Sequence, residues 1–225
     1  MVCLLCVAVI SALSAVFFFF RRAKKEVKIQ KEDWKRDFVY LYQFPRSKTV
    51  PSLSPYCLKV ETFLKAHNIP YEVVTTTMGR SKYGLLPFVE LNGEHIADSQ
   101  IILDRLSQHF NVKLWCIQLA YEISSKFSSL SKRIKASIGD FSVEDCKDLL
   151  KKDYDAYRDL LGDGKFLFGD EITVADCTLF SHLATTIYLP VENYAKDLLK
   201  EQYPSLIAFC ERVKEATFGG EFEQE

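Results

Sequence analysis

The segment FVYLYQFPRSKTVPSLSPYCLKVETFL, residues 38–64, decides the fold. It begins with a short apolar and aromatic run, residues 38–44, which predicts a buried strand. A loop interrupted by prolines follows, and Ser54 then stands directly before Pro55. Serine before proline is typical of a helix with a side-chain cap and a proline in its first turn. The segment therefore predicts a strand, a loop and a helix over residues 55–67.

The segments that follow extend this pattern to an α/β unit. Residues 71–77 predict a second strand, and residues 87–91 predict a third. An Asn-Gly pair at 92–93 predicts a hairpin turn into a short strand at 94–97. A helix is expected over residues 99–110, with its apolar side chains on one face. A thioredoxin-like domain has this order of elements: strand, helix and strand, followed by a hairpin and a helix.

The second half of the chain has helical spacing of its apolar residues from residue 114 onward. We therefore predict a thioredoxin-like α/β N-terminal domain over residues 38–110. An all-α C-terminal domain is predicted over residues 111–218, and a short tail, 219–225, follows it.

The N-terminal segment predicts a membrane anchor. Residues 1–20 carry no charged side chain, and about 20 helical residues span the hydrocarbon core of a bilayer. Residues 21–36 carry eight basic and three acidic side chains, and basic residues favour the cytoplasmic side. We therefore predict a single-pass transmembrane helix at 1–20 that contacts membrane lipid, and a basic linker at 21–37. The folded part would face the cytosol from an intracellular membrane.

Three alternatives remain open for this N-terminal segment. A cleaved signal peptide is the main one, although its basic residues normally precede the apolar stretch. The basic run at 21–36 is either a stop-transfer flank or a site for anionic lipid head groups. Cys3 and Cys6 are either small apolar residues or sites of palmitoylation.

Composition excludes some classes of function. A formal net charge of −1 argues against nucleic-acid binding by the chain as a whole. The seven cysteines are an odd number without framework spacing, which indicates free thiols in a reducing compartment rather than a disulfide scaffold. The sequence has no His-x-x-x-His pair and no zinc-knuckle spacing outside residues 1–20, so no metal site is expected.

Four local motifs resemble those of one superfamily. Residues 54–57, Ser-Pro-Tyr-Cys, resemble the glutaredoxin site C-P-Y-C with serine in place of the first cysteine. Residues 86–91 resemble the cis-proline segment that opens the third strand of this fold. Asp98-Ser99 resembles the acidic-Ser pair that holds the γ-glutamyl end of glutathione. Residues 168–176 resemble the capping box and hydrophobic staple of the sixth helix of glutathione transferases. Together these motifs identify a glutathione-transferase-like protein.

The resemblance is closest to the failed-axon-connections and metaxin-like group. Residues 54–62, Ser-Pro-Tyr-Cys-Leu-Lys-Val-Glu-Thr, resemble the helix motif of that group. Residues 169–177 and 219–222 resemble its nematode cadmium-responsive branch. The interval 110–138 is short for the two long helices that the resemblance implies there, so the helical domain is expected to be shortened.

The resemblance also implies site residues for glutathione, a co-substrate of the family. Ser54 would be the catalytic residue, by donating to the glutathione thiolate, or it would be a helix cap alone. Leu86 would pair with the cysteinyl backbone across a cis bond before Pro87. Asp98 and Ser99 would receive the α-ammonium and α-carboxylate, and Ser99 would also cap the following helix.

Three further residues have structural explanations. With serine at position 54, dithiol exchange is disabled, so Cys57 is expected to be a buried small residue rather than a redox centre. Thr173 and Asp176 have the spacing of a capping box, with Asp in the Glu/Gln position.

Two functions remain open at this point, one catalytic and one not. The first is a membrane-anchored glutathione-transferase-like protein that takes part in detoxification or in a cadmium or stress response. The second is a non-catalytic scaffold that reuses the fold to bind a protein at a membrane. The resemblance leaves open whether the chain is an enzyme and whether it forms a homodimer.

Overall fold

Four strands form one mixed sheet in the first half of the chain. In this computed structural model, which describes residues 29–77, 81, 83–112 and 142–223, the strands are β1 (Val39–Gln43), β2 (Tyr71–Thr75), β3 (Phe88–Leu91) and β4 (Glu94–Ala97). Their order across the sheet is β2-β1-β3-β4. β1 is parallel to β2 and antiparallel to β3, and β3 is antiparallel to β4. The four strands predicted from the sequence are confirmed.

Two helices cover one face of this sheet. Helix α1 (Pro55–Ala66) connects the parallel strands β1 and β2, and helix α2 (Ser99–His109) follows β4. A parallel connection needs such a crossover, because the chain must return to the end of the sheet where it started. Val39 and Leu41 of β1 point toward these helices and pack with Phe63 and Leu103 in one buried cluster.

The other face of the sheet carries an aromatic cluster that is covered by the chain just before β1. Tyr40, Tyr42 and Phe88 are buried there. The buried carboxylate of Glu90 accepts the hydroxyl of Tyr42 at 2.8 Å and the backbone N–H of Gln30 at 2.8 Å. The sequence assigned residue 30 to a polar linker, and these bonds instead tie it to the sheet.

Helices make up the second half of the described chain. They are α3 (Val143–Leu161), α4 (Val174–Ile187), α5 (Tyr194–Gln202) and α6 (Pro204–Thr217), followed by a 3₁₀ turn at Gly219–Glu221. Phe222, which the sequence placed in a tail, is only 1% exposed and packs against Phe218 with ring centroids 5.5 Å apart. The α/β domain followed by a helical domain is thus confirmed.

Helix α1 joins the two halves because it packs against the sheet on one side and against α4 and α6 on the other. Its residues Cys57 to Leu64 are all buried. Leu58 of α1 belongs to the core of the helical half, whereas Cys177 of α4 belongs to the core of the sheet half. A fully buried side chain of this size contributes about 2 kcal/mol, so the two cores stabilise each other through α1.

The capping box predicted at Thr173 and Asp176 begins α4. The Thr173 hydroxyl accepts from the backbone N–H of Asp176, and the Asp176 carboxylate accepts from the N–H of Thr173 at 2.8 Å. Asp176 is fully buried and also accepts the N–H of Leu167 at 2.8 Å. The aspartate therefore fixes both the start of α4 and the loop before it.

The predicted localisation needs a correction. None of the helices in the described ranges is both long and apolar enough to cross a bilayer, so a single-pass membrane protein with a cytosolic domain is not supported. The predicted anchor at residues 1–20 lies outside the described residues. So do residues 21–28 of the basic linker and residues 113–138 of the short interval before the helices of the second half.

Removing the Asp176 carboxylate should destabilise the fold far more than removing the carboxylate of an exposed capping box. Asp176→Ala leaves the buried N–H of Leu167 and the partly buried N–H of Thr173 without an acceptor, and we expect a loss of about 3 kcal/mol in the free energy of unfolding. Urea denaturation of the full chain measures it.

Asp145→Ala is the matched control, because Ser142 and Asp145 form the same box on an exposed helix start. Its loss should be several times smaller, since water can replace the missing acceptor there. Equal losses in the two variants would show that burial of the Asp176 box does not matter.

Candidate functional site

Three separate segments of the chain meet at the same end of the sheet, where β1 and β4 end and β3 begins. Tyr42 near the end of β1 lies opposite Phe88, and Phe88 lies opposite Ala97 at the end of β4. The loop after β1, the peptide before β3 and Asp98 after β4 are therefore neighbours. Helix α1 returns antiparallel to β1, so its N-terminus lies at this edge as well. The structure thus brings all the predicted glutathione-site residues to one end of the sheet.

Ser54 caps helix α1 and faces a groove. Its Oγ accepts the backbone N–H of Cys57 at 3.4 Å, as the sequence predicted for a cap. The half-buried Ser54 also lines a groove of about 500 Å³. We call this the Ser54 groove, and its lining residues are Phe44, Pro45, Arg46, Leu53 and Ser54. The hydroxyl accepts one hydrogen bond from the helix and also hydrogen-bonds with the Cys57 thiol beneath it.

Cys57 lies one turn below Ser54 and is fully buried. Burial raises the pKa of its thiol, and hydrogen bonds with the Ser54 and Ser52 hydroxyls offset this only in part. A buried thiol with a raised pKa is a poor nucleophile. The expectation of a small buried residue is therefore confirmed.

The peptide bond between Leu86 and Pro87 is cis, as predicted. Pro87 is buried and leads directly into β3, and the half-buried Leu86 packs against the aromatic cluster of the sheet. Both predicted residues thus lie at the edge of the sheet that carries Ser54.

Asp98 forms the corner between β4 and α2. Its Oδ1 accepts the N–H groups of Gln100 at 3.0 Å and Ile101 at 3.3 Å. The sequence predicted that Ser99 caps this helix, and that prediction is wrong: Asp98 is the cap, and Ser99 is the first helical residue. The reason is that Asp98 has φ of 80°, which turns its carboxylate back over the helix start. Such backbone conformations are costly outside glycine and concentrate at ligand sites.

A buried lysine supports this corner from below. Lys59 of α1 is 3% exposed, and its Nζ donates to Gln100 Oε1 at 2.9 Å. The Gln100 amide in turn donates to Asp104 at 3.4 Å. Burial lowers the pKa of the Lys59 ammonium, while the carboxylates of Asp98 and Asp104 act in the opposite direction. The Lys59 amine thus lies beneath the Asp98-Ser99 corner and is bonded to it through Gln100.

A second buried network lies beneath the Ser54 groove. Glu61 of α1 is fully buried and forms an ion pair with Arg46 of the groove. Its carboxylate also accepts the Gln43 amide at 2.8 Å and the Tyr71 hydroxyl at 3.3 Å. Buried charges persist when they are paired and hydrogen-bonded, so these partners explain how Glu61 is accommodated.

The sequence missed Arg46, Lys59 and Glu61 as site residues. A lysine and a glutamate in a helix are usually on its exposed side. The available signal was the distribution of Leu58, Val60, Phe63 and Leu64, which lie around the helix rather than on one face. A helix that is apolar all round is buried, and its charged residues must then be paired.

Metal-binding residues do not cluster in the described ranges, where no three His, Cys, Asp or Glu side chains are arranged to hold an ion. The groups that the structure places at this end of the sheet are a hydroxyl at a helix N-terminus, an exposed carboxylate and a paired guanidinium. These groups can bind a zwitterionic peptide and stabilise a negative charge beside Ser54.

Comparison with known proteins gives one consistent similarity. A family model of the glutathione S-transferase N-terminal domain matches residues 55–140, and a model of the C-terminal domain matches residues 150–213. Failed axon connections from Drosophila melanogaster is 31% identical over 86% of this chain. The match spans 61% of that relative's length. An isoprene-epoxide glutathione S-transferase from Rhodococcus is 21% identical, over 78% of this chain and 98% of the relative.

Solved structures share the fold. A glutathione S-transferase from Methylobacterium radiotolerans, in complex with glutathione sulfonate, aligns with a TM-score of 0.56 at 18% identity, over 79% of this chain and 90% of that one. A Tau class enzyme from mango, Mangifera indica, aligns with a TM-score of 0.55 at 17% identity, over 80% and 92%. At these identities the similarity concerns the fold.

The described thiols should differ in reactivity. Cys146 is exposed, whereas Cys57, Cys177 and Cys210 are buried and burial raises their pKa. We expect iodoacetamide to label Cys146 at least about tenfold faster than these three, because the thiolate is the reactive form and must be accessible. Peptide mass spectrometry at timed intervals measures the rates.

Labelling in urea is the control, since unfolding should make the four rates similar. Rapid labelling of Cys57 in the folded protein would mean that it is a reactive centre at the start of α1, against the interpretation given above.

Proposed function

Because this chain belongs to the glutathione S-transferase superfamily, in the group that contains Failed axon connections, we propose that it binds glutathione at the sheet edge described above. The observation that carries this proposal is the strand register, which brings the Ser54 helix start, the cis Leu86–Pro87 peptide and the Asp98-Ser99 corner to one end of the sheet. The glutathione sulfonate held by the Methylobacterium structure is consistent with it.

Ser54 would act on the sulfur of glutathione. Its oxygen accepts the Cys57 N–H, and its proton, which now contacts the Cys57 thiol, would turn to a thiolate bound in the groove. The positive end of the α1 dipole lies at the same place. Both effects stabilise the thiolate more than the thiol and therefore lower the pKa of the bound ligand.

The other predicted residues would hold the peptide. Asp98 is exposed and can pair with the α-ammonium of the γ-glutamyl group, while the Ser99 hydroxyl and the start of α2 can receive its α-carboxylate. The backbone of Leu86 would pair with the cysteinyl residue. Lys59 would position this corner through Gln100 without touching the ligand.

On this proposal the chain transfers glutathione to electrophiles, which is a detoxification chemistry. A role in cadmium or stress response would then act through the soft thiolate of glutathione. The protein itself would contribute the tripeptide site and the Ser54 hydroxyl.

A non-catalytic scaffold is the second candidate. The specific observation in its favour is that Ser54 and Asp98 already have structural roles as helix caps. Their presence is thus explained without a ligand. The groove would then serve a protein partner or a second copy of the chain.

The test of the proposed function is binding and turnover by the full chain. We expect retention on immobilised glutathione, a calorimetric binding signal and conjugation of 1-chloro-2,4-dinitrobenzene above the uncatalysed rate. Binding without turnover would limit the function to glutathione binding. Absence of both would overturn the proposal in favour of the scaffold.

Substitution of Ser54 separates catalysis from capping. Ser54→Ala should lower kcat/KM on the order of 100-fold, because a donor to the developing charge is lost, and should cost about 1 kcal/mol of stability. Ser54→Asn keeps a capping oxygen but replaces the hydroxyl. Full activity in Ser54→Ala would remove the catalytic role of Ser54.

A further inference from the structure

The Ser54 groove combines apolar walls with one charged group. Phe44, Pro45 and Leu53 provide the walls, and Leu53 is 53% exposed. Among the described residues that line the groove, Arg46 alone carries a charge. A volume of about 500 Å³ is within the range of small-molecule sites, which are mostly apolar with a few placed polar groups.

Arg46 is held in a fixed position. Its Nη2 donates to Glu61, which is fully buried and has further bonds to Gln43 and Tyr71. The Arg46 side chain is 21% exposed and lines the groove, so it is accessible to a ligand while it stays paired with Glu61. Because the ion pair orients the planar group, little additional freedom would be lost when Arg46 binds a ligand.

Arg46 retains donors that its protein partner does not use. A guanidinium has five N–H groups, and the hydrogen bonds found within the described ranges engage Nη2. Arg46 also lines the groove, so the N–H groups that do not contact Glu61 are the ones it can offer to a ligand there. Such donors favour a planar anion with two oxygens, and a carboxylate is the most common partner of this geometry.

We propose that Arg46 makes the Ser54 groove, where the proposed function places the electrophile, selective for electrophiles with an apolar body and a carboxylate. The carboxylate pairs with Arg46, and the electrophilic carbon lies toward Ser54, where the thiolate is held. This inference rests on the proposed function, because the sulfur it places beside Ser54 is that of glutathione.

The reaction with an aryl chloride illustrates the step. The thiol loses its proton to solvent, the sulfur forms a bond to the ring carbon, and the carbon–chlorine bond breaks with its electron pair leaving as chloride. Neither partner is oxidised or reduced. Arg46 does not enter this step and determines only which electrophile is bound.

A matched pair of electrophiles tests the inference. 2-Chloro-1,3-dinitrobenzene is neutral, and 4-chloro-3,5-dinitrobenzoate is the same ring with a carboxylate para to the chlorine. We measure kcat/KM for each with the full chain, divide by the uncatalysed rate, and take the ratio of the anionic to the neutral substrate. We expect a ratio of about ten or more, because hydrogen bonds between charged groups are roughly twice as strong as neutral ones.

The variants must avoid leaving Glu61 buried and unpaired, since Arg46→Gln alone would do so. The double variant Arg46→Gln/Glu61→Gln removes both charges and keeps amides that can bond to each other. We expect its substrate ratio to fall to about one. Lys48→Gln is the matched control, because Lys48 is an exposed cation of the same loop outside the groove, and its ratio should equal that of the unmodified chain.

A binding measurement makes the outcome independent of turnover. Calorimetry compares 3,5-dinitrobenzoate with 1,3-dinitrobenzene, neither of which can be conjugated by chloride displacement. Tighter binding of the benzoate to the unmodified chain, lost in the double variant, supports the anion site. This holds even if glutathione does not bind, because that result would reject only the proposed function. Equal binding and equal substrate ratios, with glutathione bound and turned over, would overturn the inference and leave the proposed function in place.

Discussion

Burial of helix α1 between the sheet and helix α4 is the constraint on which the rest of the structure depends. One side of this helix fills the core of the α/β domain, and Leu58 on the other side enters the core of the helical domain. Because residues 57–64 are all excluded from water, the two domains cannot separate without exposing the helix. Its N-terminus is thereby held at the sheet edge that carries the candidate site.

The burial of α1 also explains why its ionisable side chains connect it to the candidate site. Lys59 and Glu61 lie on a helix that has almost no exposed surface, so each must find partners inside the protein. Lys59 reaches Gln100 at the start of α2, and Glu61 reaches Arg46 in the loop after β1. Each of these two buried side chains therefore ties α1 to one of the two neighbouring segments of the site.

Capping interactions satisfy the backbone groups at the helix starts, as partners inside the protein satisfy the buried polar side chains of α1. Ser54, Asp98 and Thr173 each satisfy N–H groups that a helix start would otherwise leave unpaired. Two of these caps lie at the candidate site and one lies within the helical half. A cap that also faces a groove can serve stability and ligand binding together, and this explains why sequence motifs alone could not separate a scaffold from an enzyme.

The sequence by itself determined the elements and their order, because strands, turns and caps depend on residues that are close along the chain. It thus predicted β1, the Ser54 cap and the Thr173-Asp176 box, whereas the cis Pro87 peptide was implied by the resemblance to the superfamily. Only the tertiary structure decided that Asp98 rather than Ser99 caps α2, that residue 30 is bonded to Glu90, and that Arg46 pairs with Glu61. These contacts join residues brought together by packing or by an unusual backbone angle, and neither is visible in local spacing.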